Sequence, residues 1–249
     1  MVTDRELVDK WRTQVLQPAS EEVKGLLERF PDRRSLTIPF DRFGTDYRFS
    51  SPLRTQPDRT LGAGRQALGE FAAEALEAPE TAEIHPDDRV YLRVTEAPES
   101  IRYSISALGS RHLNRLVTVD GRVLETDSVR PRAAVAAFQC DHCGEFQSVR
   151  QPGRFLRRPG RCRDCNASGP FTLTPERGTY VDAQTITIVE GDRSVPVGLE
   201  HDLVGAFDVG DRVDLVAIPR ARADGETTTA TLELEAVSGI VDGAAAGEG

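Results

Sequence analysis

The four cysteines of this 249-residue chain are its most restrictive feature, because they form two Cys-x-x-Cys pairs with eighteen residues between them. Each pair can direct two thiolates at one point, and four thiolates make a closed tetrahedral zinc site. The spacing therefore predicts a zinc ribbon that holds one structural Zn²⁺. The expected ligands are Cys140, Cys143, Cys162 and Cys165.

Other uses of these cysteines fit the pattern less well. A redox dithiol needs only one Cys-x-x-Cys, and a disulfide suits a secreted domain, whereas the first residues do not resemble a signal peptide. Catalytic zinc is disfavoured because four sulfur ligands leave no open coordination position. His142 is a conceivable further ligand, although a solvent-facing position is the simpler interpretation. Four phenylalanines are expected to cover the ribbon: Phe138, Phe146, Phe155 and Phe171.

The charge of the chain is unevenly distributed. The net charge is −9, and nearly all basic residues are arginine, since only Lys10 and Lys24 are lysine. This composition resembles proteins of salt-loving archaea, although a GC-rich genome also explains an arginine bias. Residues 111–170 contain eleven Arg against six Asp and Glu, a balance of +5, so the rest of the chain carries −14. A basic segment in an acidic chain predicts a polyanion-binding face; a solvated, arginine-rich ribbon is the alternative.

Hydrophobic spacing changes along the chain from helical to alternating. Thr3 and Glu6 form a capping box before a first helix, a second is expected from Ser20, and a third from about residue 59 to 76. Alternation then predicts strands at 116–124, 133–139, 183–189, 211–219 and 230–237, with a hairpin signal at 223–225. The predicted fold class is α+β, mostly β: an N-terminal helical bundle, then a five-stranded OB-type barrel with an inserted four-cysteine zinc ribbon.

This pattern also predicts a domain organisation. The helical subdomain is expected over 1–100, the barrel over 101–137 and 171–240, the ribbon over 138–170, and a flexible tail over 241–249. No apolar run approaches the ~20 residues of a membrane helix. We therefore expect a cytoplasmic protein with no membrane partner, in a reducing compartment that leaves the thiolates available for metal.

Several segments, in one order, resemble a known family. They are 111–123 (RHLNRLVTVDGRV), 129–132 (VRPR), 138–144 (FQCDHCG), 169–171 (GPF), 180–184 (YVDAQ), 195–196 (VP), 203–204 (LV) and 209–213 (VGDRV). Together they resemble the N-terminal region of the archaeal minichromosome maintenance (MCM) replicative helicases. The resemblance implies helical, zinc-ribbon and OB subdomains. It also implies a hexameric ring that binds DNA in its central channel, with two rings stacked through the zinc subdomains.

The sequence departs from that family in three places. It has no Walker A loop, Gly-x-x-x-x-Gly-Lys-Ser/Thr, so no P-loop ATPase is expected and the chain is predicted not to be an enzyme. Residues 190–196 occupy the place of the family's DNA-binding hairpin but are several residues shorter. Ala183 stands where the family usually has an aromatic residue.

The leading functional prediction is a non-catalytic module that binds single-stranded DNA without sequence specificity, with duplex DNA as a second candidate ligand. Guanidinium groups suit this role because they bind phosphate bidentately. The predicted DNA-binding residues are Arg122, Arg130, Arg132, Arg177 and Arg193, with Tyr180 and Phe207 as stacking candidates. The alternative for the arginines is pairing with surface carboxylates.

Two other functions stay open at this point. The chain can be an accessory subunit that joins or caps a full-length helicase ring with little DNA contact; the short 190–196 segment and the net acidity favour this. A zinc-ribbon factor of transcription or translation initiation is a weaker alternative, because it leaves the matches at 111–132 and 195–213 unexplained. The expected location is the cytoplasm, in association with the nucleoid.

Overall fold

The computed structural model describes residues 2–30, 32–44, 46–75, 90–151, 156–223 and 228–242. The chain forms two compact units. The first contains Met1–Ser128 and Gln184–Gly249, and the second contains Val129–Ala183. The predicted hairpin signal at 223–225 extends into undescribed residues. Phe155 and most of the predicted tail also lie outside the described residues.

The N-terminal part of the first unit is helical, as predicted. The capping box is present: the Glu6 N–H donates to Thr3 Oγ1 at 3.2 Å, and the Thr3 N–H donates to Glu6 at 2.7 Å. The α-helices are α1 (Asp4–Lys10), α2 (Ser20–Glu28), α3 (Tyr47–Thr55) and α4 (Pro57–Ala75), and a π-helical turn, Trp11–Leu16, follows α1. Helix α3 was not predicted, because Pro52 lies within it and removes a backbone donor.

Trp11 lies at the centre of the helical core and is fully buried. Its indole ring meets Phe43 edge-on at 5.1 Å and Phe49 at 5.8 Å. Its Nε1–H donates to the Thr60 carbonyl at 2.7 Å. A buried indole that also satisfies its one donor contributes a large apolar area without a polar penalty. Helices α1, α3 and α4 are thereby held around one side chain.

A small parallel sheet lies beside the helices, formed by β1 (Ser35–Pro39) and β2 (Tyr91–Thr95). Arg93 of β2 is buried and fully engaged. It pairs with Asp202 and donates to the carbonyls of Val237 at 2.9 Å and Glu200 at 2.8 Å. A buried guanidinium needs such partners, because an unpaired buried charge is strongly destabilising. This contact connects the small sheet to the barrel.

Five strands form a closed barrel in the first unit. In chain order they are β3 (Val117–Thr126), β7 (Thr179–Glu190, which enters this unit at Gln184), β8 (Arg193–Glu200), β9 (Arg212–Ala223) and β10 (Ala230–Val241). They are hydrogen-bonded in the order β3-β9-β10-β8-β7, and β3 also pairs with β7, which closes the barrel. Its interior holds mainly branched aliphatic side chains, with Val119, Ile188, Val197, Val213 and Leu234 fully buried. The predicted five-stranded OB-type barrel is confirmed.

The strands that form this barrel differ in two respects from those we expected. The predicted strand at 133–139 exists, but it pairs with other strands of the second unit. Its place in the barrel is taken by β8, which we did not predict although Val195, Val197 and Leu199 alternate along it with less buried residues. The pairing is also not wholly antiparallel, because β8 and β10 run parallel at Val197 and Leu234. A two-residue turn at Gly191 and Asp192 joins β7 to β8, and Gly191 has the positive φ of 60° that such turns favour.

The second unit is a small antiparallel sheet. Strand β4 (Arg130–Cys140) pairs with β5 (Phe146–Arg150), β6 (Phe171–Leu173) and the first residues of β7. Cys140 ends β4 and Cys162 follows a loop, so both pairs of cysteines lie in this unit. The finer division of the chain at residues 100, 137 and 170 stays a prediction.

Candidate metal centre and nucleic-acid interface

The four cysteine sulfur atoms converge on one point. All four lie within 4.8 Å of one another. The Sγ atoms of Cys140 and Cys165 are 3.7 Å apart, and those of Cys143 and Cys162 are 3.6 Å apart. A tetrahedron of sulfurs about 2.3 Å from a central zinc has edges of about 3.8 Å. The site therefore has the size of a four-cysteine zinc centre and is too open for a disulfide, whose sulfurs are about 2.05 Å apart.

The two Cys-x-x-Cys segments fold into similar turns. The Gly144 N–H donates to the Cys140 carbonyl at 2.8 Å, and the Asn166 N–H donates to the Cys162 carbonyl at 3.1 Å. Gly144 has φ 78° and Asn166 has φ 59°. Glycine and asparagine are the residues that adopt this left-handed conformation most readily. The residue after each pair thus allows the chain to turn both sulfurs inward.

Backbone N–H groups near the sulfurs affect the thiol pKa values. Hydrogen bonding to the Cys165 N–H outweighs burial and, together with the Asp164 N–H, lowers the pKa of Cys162 to about 7. The Glu145 N–H also lowers the pKa of Cys143, but burial and the neighbouring thiols outweigh it and raise that pKa to about 12. Four clustered thiols cannot all ionise without a cation, because like charges repel. A divalent metal removes that obstacle, so the donor set fits zinc.

The surroundings of the sulfurs agree with a structural site. Phe138 and Phe171 are buried with Cys140 and Cys162 in one apolar cluster, as predicted. His142 is exposed, and its Nε2 lies 2.9 Å from the Gly169 carbonyl oxygen. This contact joins the two turns, and His142 does not belong to the group of residues that can hold the metal.

In the second unit, the three predicted arginines have different environments. Arg130 and Arg177 are exposed, and the Arg177 guanidinium lies over the Phe146 ring at 3.9 Å from its centre. Arg132 is partly buried and donates to the carbonyls of Ala133 and Gln151, both at 3.3 Å. Arg130 and Arg177 therefore present charge to solvent, whereas Arg132 supports the backbone of its own unit.

In the first unit, Arg122 and Arg193 lie on barrel strands and are exposed. Arg122 pairs in register with Val189 of β7 and with Arg212 of β9. Arg193 is the first residue of β8, directly after the β7–β8 turn. Arg212 was not predicted; it is exposed, and its guanidinium is 3.5 Å from the Asp242 carboxylate. Only strand register reveals that Arg212 is the neighbour of Arg122, because the two residues are 90 positions apart in the sequence.

The two residues predicted to stack on bases differ in their exposure to solvent. Tyr180 is 44% exposed and lies in the second unit, but Phe207 is only 3% exposed and belongs to the barrel core. The prediction that Phe207 stacks on bases is therefore wrong, because its ring is needed to fill the barrel. Gln184 has a structural role: its side chain donates to the Asp127 carbonyl at 3.0 Å and accepts from the Gly205 N–H at 2.8 Å.

Comparison with known proteins agrees with this architecture. Residues 104–223 match the family model of the MCM OB domain. The chain is similar to the DNA replication licensing factor mcm2 of Schizosaccharomyces pombe, with 29% identity over 242 residues that cover 86% of this chain and 29% of that protein. It is also similar to mcm2 of Xenopus laevis, with 30% identity over 155 residues that cover 57% of this chain and 17% of that protein. The chain thus spans less than a third of these relatives.

The fold is similar to a crystal structure of the N-terminal domain of an archaeal MCM protein. The TM-score is 0.80 with 24% sequence identity, and the match covers 96% of this chain and all of that one. At this identity the likeness concerns the fold, and it confirms the predicted architecture of helices, OB barrel and clustered cysteines. Among the described residues, no helix is long and apolar enough to cross a membrane.

Proposed function

We propose that this chain, which carries the OB domain of the MCM proteins at residues 104–223, is a non-catalytic DNA-binding and ring-assembly module of a replicative helicase. The module binds single-stranded DNA through its barrel without sequence specificity. The observation that carries this proposal is the pair of exposed arginines on barrel strands, Arg122 and Arg193, in a domain of this family. Duplex DNA is the second ligand included in the test below.

The chemistry of the surface supports contact with the DNA backbone. Arg122 and Arg193 present guanidinium groups, which bind phosphate without reading bases. Arg130 and Arg177 add two exposed charges in the second unit. Phe207 is withdrawn into the barrel core, which leaves backbone contact as the main mode of binding at the barrel.

The zinc and the assembly are further parts of the proposal. One Zn²⁺ bound by Cys140, Cys143, Cys162 and Cys165 would cross-link the two turns of the second unit and stabilise its fold. The proposed assembly is a hexameric ring, stacked as a double ring, alone or with a full-length MCM protein. The proposed setting is the cytoplasm of a salt-loving archaeon, in association with the nucleoid.

A second candidate function is an accessory subunit that joins or caps a helicase ring. One observation favours it: Leu124 and Val209 are 50% and 62% exposed and flank the hydrogen bond from the Gly210 N–H to the Val123 carbonyl. An exposed apolar pair suits a protein contact better than a DNA contact. The short β7–β8 turn, which contains Asp192, also weakens the attraction for phosphate there.

Fluorescence anisotropy of a labelled single strand tests the proposal, with zinc-loaded protein across a salt series. Arg122→Ala combined with Arg193→Ala should weaken binding at low salt about tenfold or more. The slope of log K against log salt should fall in magnitude by about 1.4, since each phosphate contact on a single strand contributes about 0.7. A labelled duplex measured in parallel gives the preference between the two forms of DNA.

The matched control is Arg29→Ala combined with Arg42→Ala, which removes two exposed arginines outside the barrel. Equal loss in both double variants would show a general charge effect and contradict a barrel site. Absence of binding by the unaltered chain at the lowest salt that keeps it folded would contradict the DNA proposal altogether. Co-elution of that chain with a full-length MCM ring would then support the accessory function.

A further inference from the structure

A groove in the first unit, away from Arg122 and Arg193, has the chemistry of an anion site. It lies between helix α3 and the segment that leads into β3, and it has a volume of about 270 Å³. This is near the lower limit of small-ligand sites, which is about 300 Å³. The space suits one small unit of a ligand rather than a long segment.

One wall of the groove is a single face of α3. Tyr47, Ser51 and Arg54 line it at positions i, i+4 and i+7, a spacing that places side chains on the same side of a helix. Tyr103 and Arg115 line the opposite side. The two arginines are close in structure because the N–H of the next residue after Arg115 donates to the Arg54 carbonyl at 2.9 Å. The groove therefore brings two guanidinium groups and two phenol rings together.

These two arginines differ from most others in the first unit. Ion pairs join many other arginines of this unit to carboxylates, among them Arg48 to Glu6, Arg59 to Asp4, Arg102 to Asp214 and Arg220 to Asp58. Within the described ranges, neither Arg54 nor Arg115 forms an ion pair, and the residues that line the groove include no Asp or Glu. In a chain of net charge −9, two guanidinium groups that line one groove without carboxylate partners form a local positive site.

The other residues that line the groove provide an exposed aromatic ring and an uncharged inner surface, called the floor below. Tyr47 is 73% exposed, the largest exposed fraction among the large apolar side chains that the structure describes. The floor includes buried Leu116 and buried His112, whose ring lies 4.4 Å from that of Tyr103. Burial, and then the charge of Arg111, lower the pKa of His112, so its imidazole is uncharged at neutral pH. The positive charge of the groove thus comes from its two lining arginines.

We infer that this groove binds one nucleotide unit, with its phosphate on Arg54 and Arg115 and its base against the Tyr47 ring. Guanidinium groups bind phosphate oxygens in pairs, and tyrosine rings stack on any base. The source we favour is a single DNA strand, and to that extent the inference rests on the proposed function. A free nucleotide offers the same phosphate and base, so the experiment separates the two sources.

The test uses the zinc-loaded full chain and two probes, a labelled oligo-dT strand followed by anisotropy and free dTMP followed by NMR line broadening. Arg54→Gln combined with Arg115→Gln should bind the strand about 30-fold more weakly at low salt, because two charge-assisted contacts are lost. Its salt slope should fall in magnitude by about 1.4. Tyr47→Leu should weaken binding about tenfold and leave the salt slope unchanged, because stacking involves no counterion release.

The control is Arg48→Gln, which removes an exposed arginine from the same helix; its guanidinium pairs with Glu6 and does not line the groove. This variant should bind both probes like the unaltered chain. Circular dichroism of every variant checks that the helices remain folded. Iodo-deoxyuridine placed in the strand should form its photo-cross-link at Tyr47, which peptide mapping by mass spectrometry identifies.

The outcomes distinguish this inference from the proposed function. Strand binding that survives in the groove variants, without a cross-link at Tyr47, would overturn the inference and leave the barrel proposal intact. Binding of dTMP that the double variant loses, without strand binding, would retain the nucleotide site, assign it to a free nucleotide and remove the proposed function. If neither probe binds the groove, the inference is overturned, and an acidic peptide becomes the ligand to examine.

Discussion

Gly64→Ala tests how tightly the helical core is packed. A Cβ atom at Gly64 of α4 would lie 2.6 Å from Trp11 Cε2 and 2.6 Å from Leu92 Cδ1. The Leu92 methyl can rotate away, but the indole cannot move freely. It is fully buried, meets Phe43 and Phe49 edge-on, and donates a hydrogen bond to a backbone carbonyl of α4. The substitution must therefore displace α4 or distort the Trp11 site.

A second glycine of α4, Gly69, provides the reference for the expected change in stability. A Cβ atom at Gly69 meets nothing within 4 Å, so Gly69→Ala should stabilise the protein by about 0.5–1 kcal/mol through helix propensity. Gly64→Ala gains the same propensity term, but overpacking of a filled core costs about 1–3 kcal/mol. We expect Gly64→Ala to be less stable than Gly69→Ala by about 1–3 kcal/mol.

Urea unfolding followed by tryptophan fluorescence measures this difference directly, because Trp11 is the only tryptophan and lies at the altered site. The free energies of unfolding of both variants and the unaltered chain should be compared at one zinc concentration, with equal m-values as the check on a common transition. Equal or greater stability of Gly64→Ala than of Gly69→Ala would refute the packing argument. A blue or red shift of the folded emission in Gly64→Ala alone would support distortion of the Trp11 site.

Two further predictions concern the metal and a buried charge. Cys143→Ser should reduce the bound zinc below the expected one ion per chain, as measured by inductively coupled plasma mass spectrometry, and should make the second unit sensitive to limited proteolysis. The control Ser168→Ala should change neither the zinc content nor the proteolysis. Asp202→Asn should destabilise the protein by about 1–2 kcal/mol at pH 7, because it weakens the pairing of buried Arg93. Burial raises the pKa of Asp202, but Arg93 outweighs it and lowers that pKa. The stabilisation by the carboxylate is therefore present above its unfolded pKa of about 3.9 and is lost as pH falls through the lower folded value. The free energies of unfolding of Asp202→Asn and of the unaltered chain should therefore converge in acid. A difference between them that stays constant down to about pH 2 would contradict the role of the Asp202 carboxylate.

Features determined by short spacings were predictable from the sequence. The turns at both Cys-x-x-Cys pairs involve residues within a few positions of one another, and Gly144 supplies the required positive φ. The capping box at Thr3 depends on a residue only three positions away. Alternation over single strands predicted most of the barrel, because the period of two is a property of each strand by itself.

The membership of the barrel required the tertiary structure. Strand β8 pairs on one side with β7, to which a two-residue turn joins it, and on the other side with β10, which lies more than thirty residues further along the chain. The predicted strand at 133–139 is an almost continuous apolar run, and it pairs with β5, β6 and the first residues of β7. Alternation indicates which face of a strand is buried, but it contains no information about which strands are neighbours.

The arginines show most clearly what the sequence predicts and what requires the folded structure. Composition revealed an acidic chain with a basic segment, and the two cysteine pairs by themselves determined where a metal can bind. The sequence could not show that Arg93 is buried against Asp202. It also could not show that Arg122 of β3 lies beside Arg212 of β9, or that Arg54 and Arg115 line one groove that contains no carboxylate. Spacing along the chain determines local turns and faces, whereas charge pairing depends on distances in space that only the folded chain establishes.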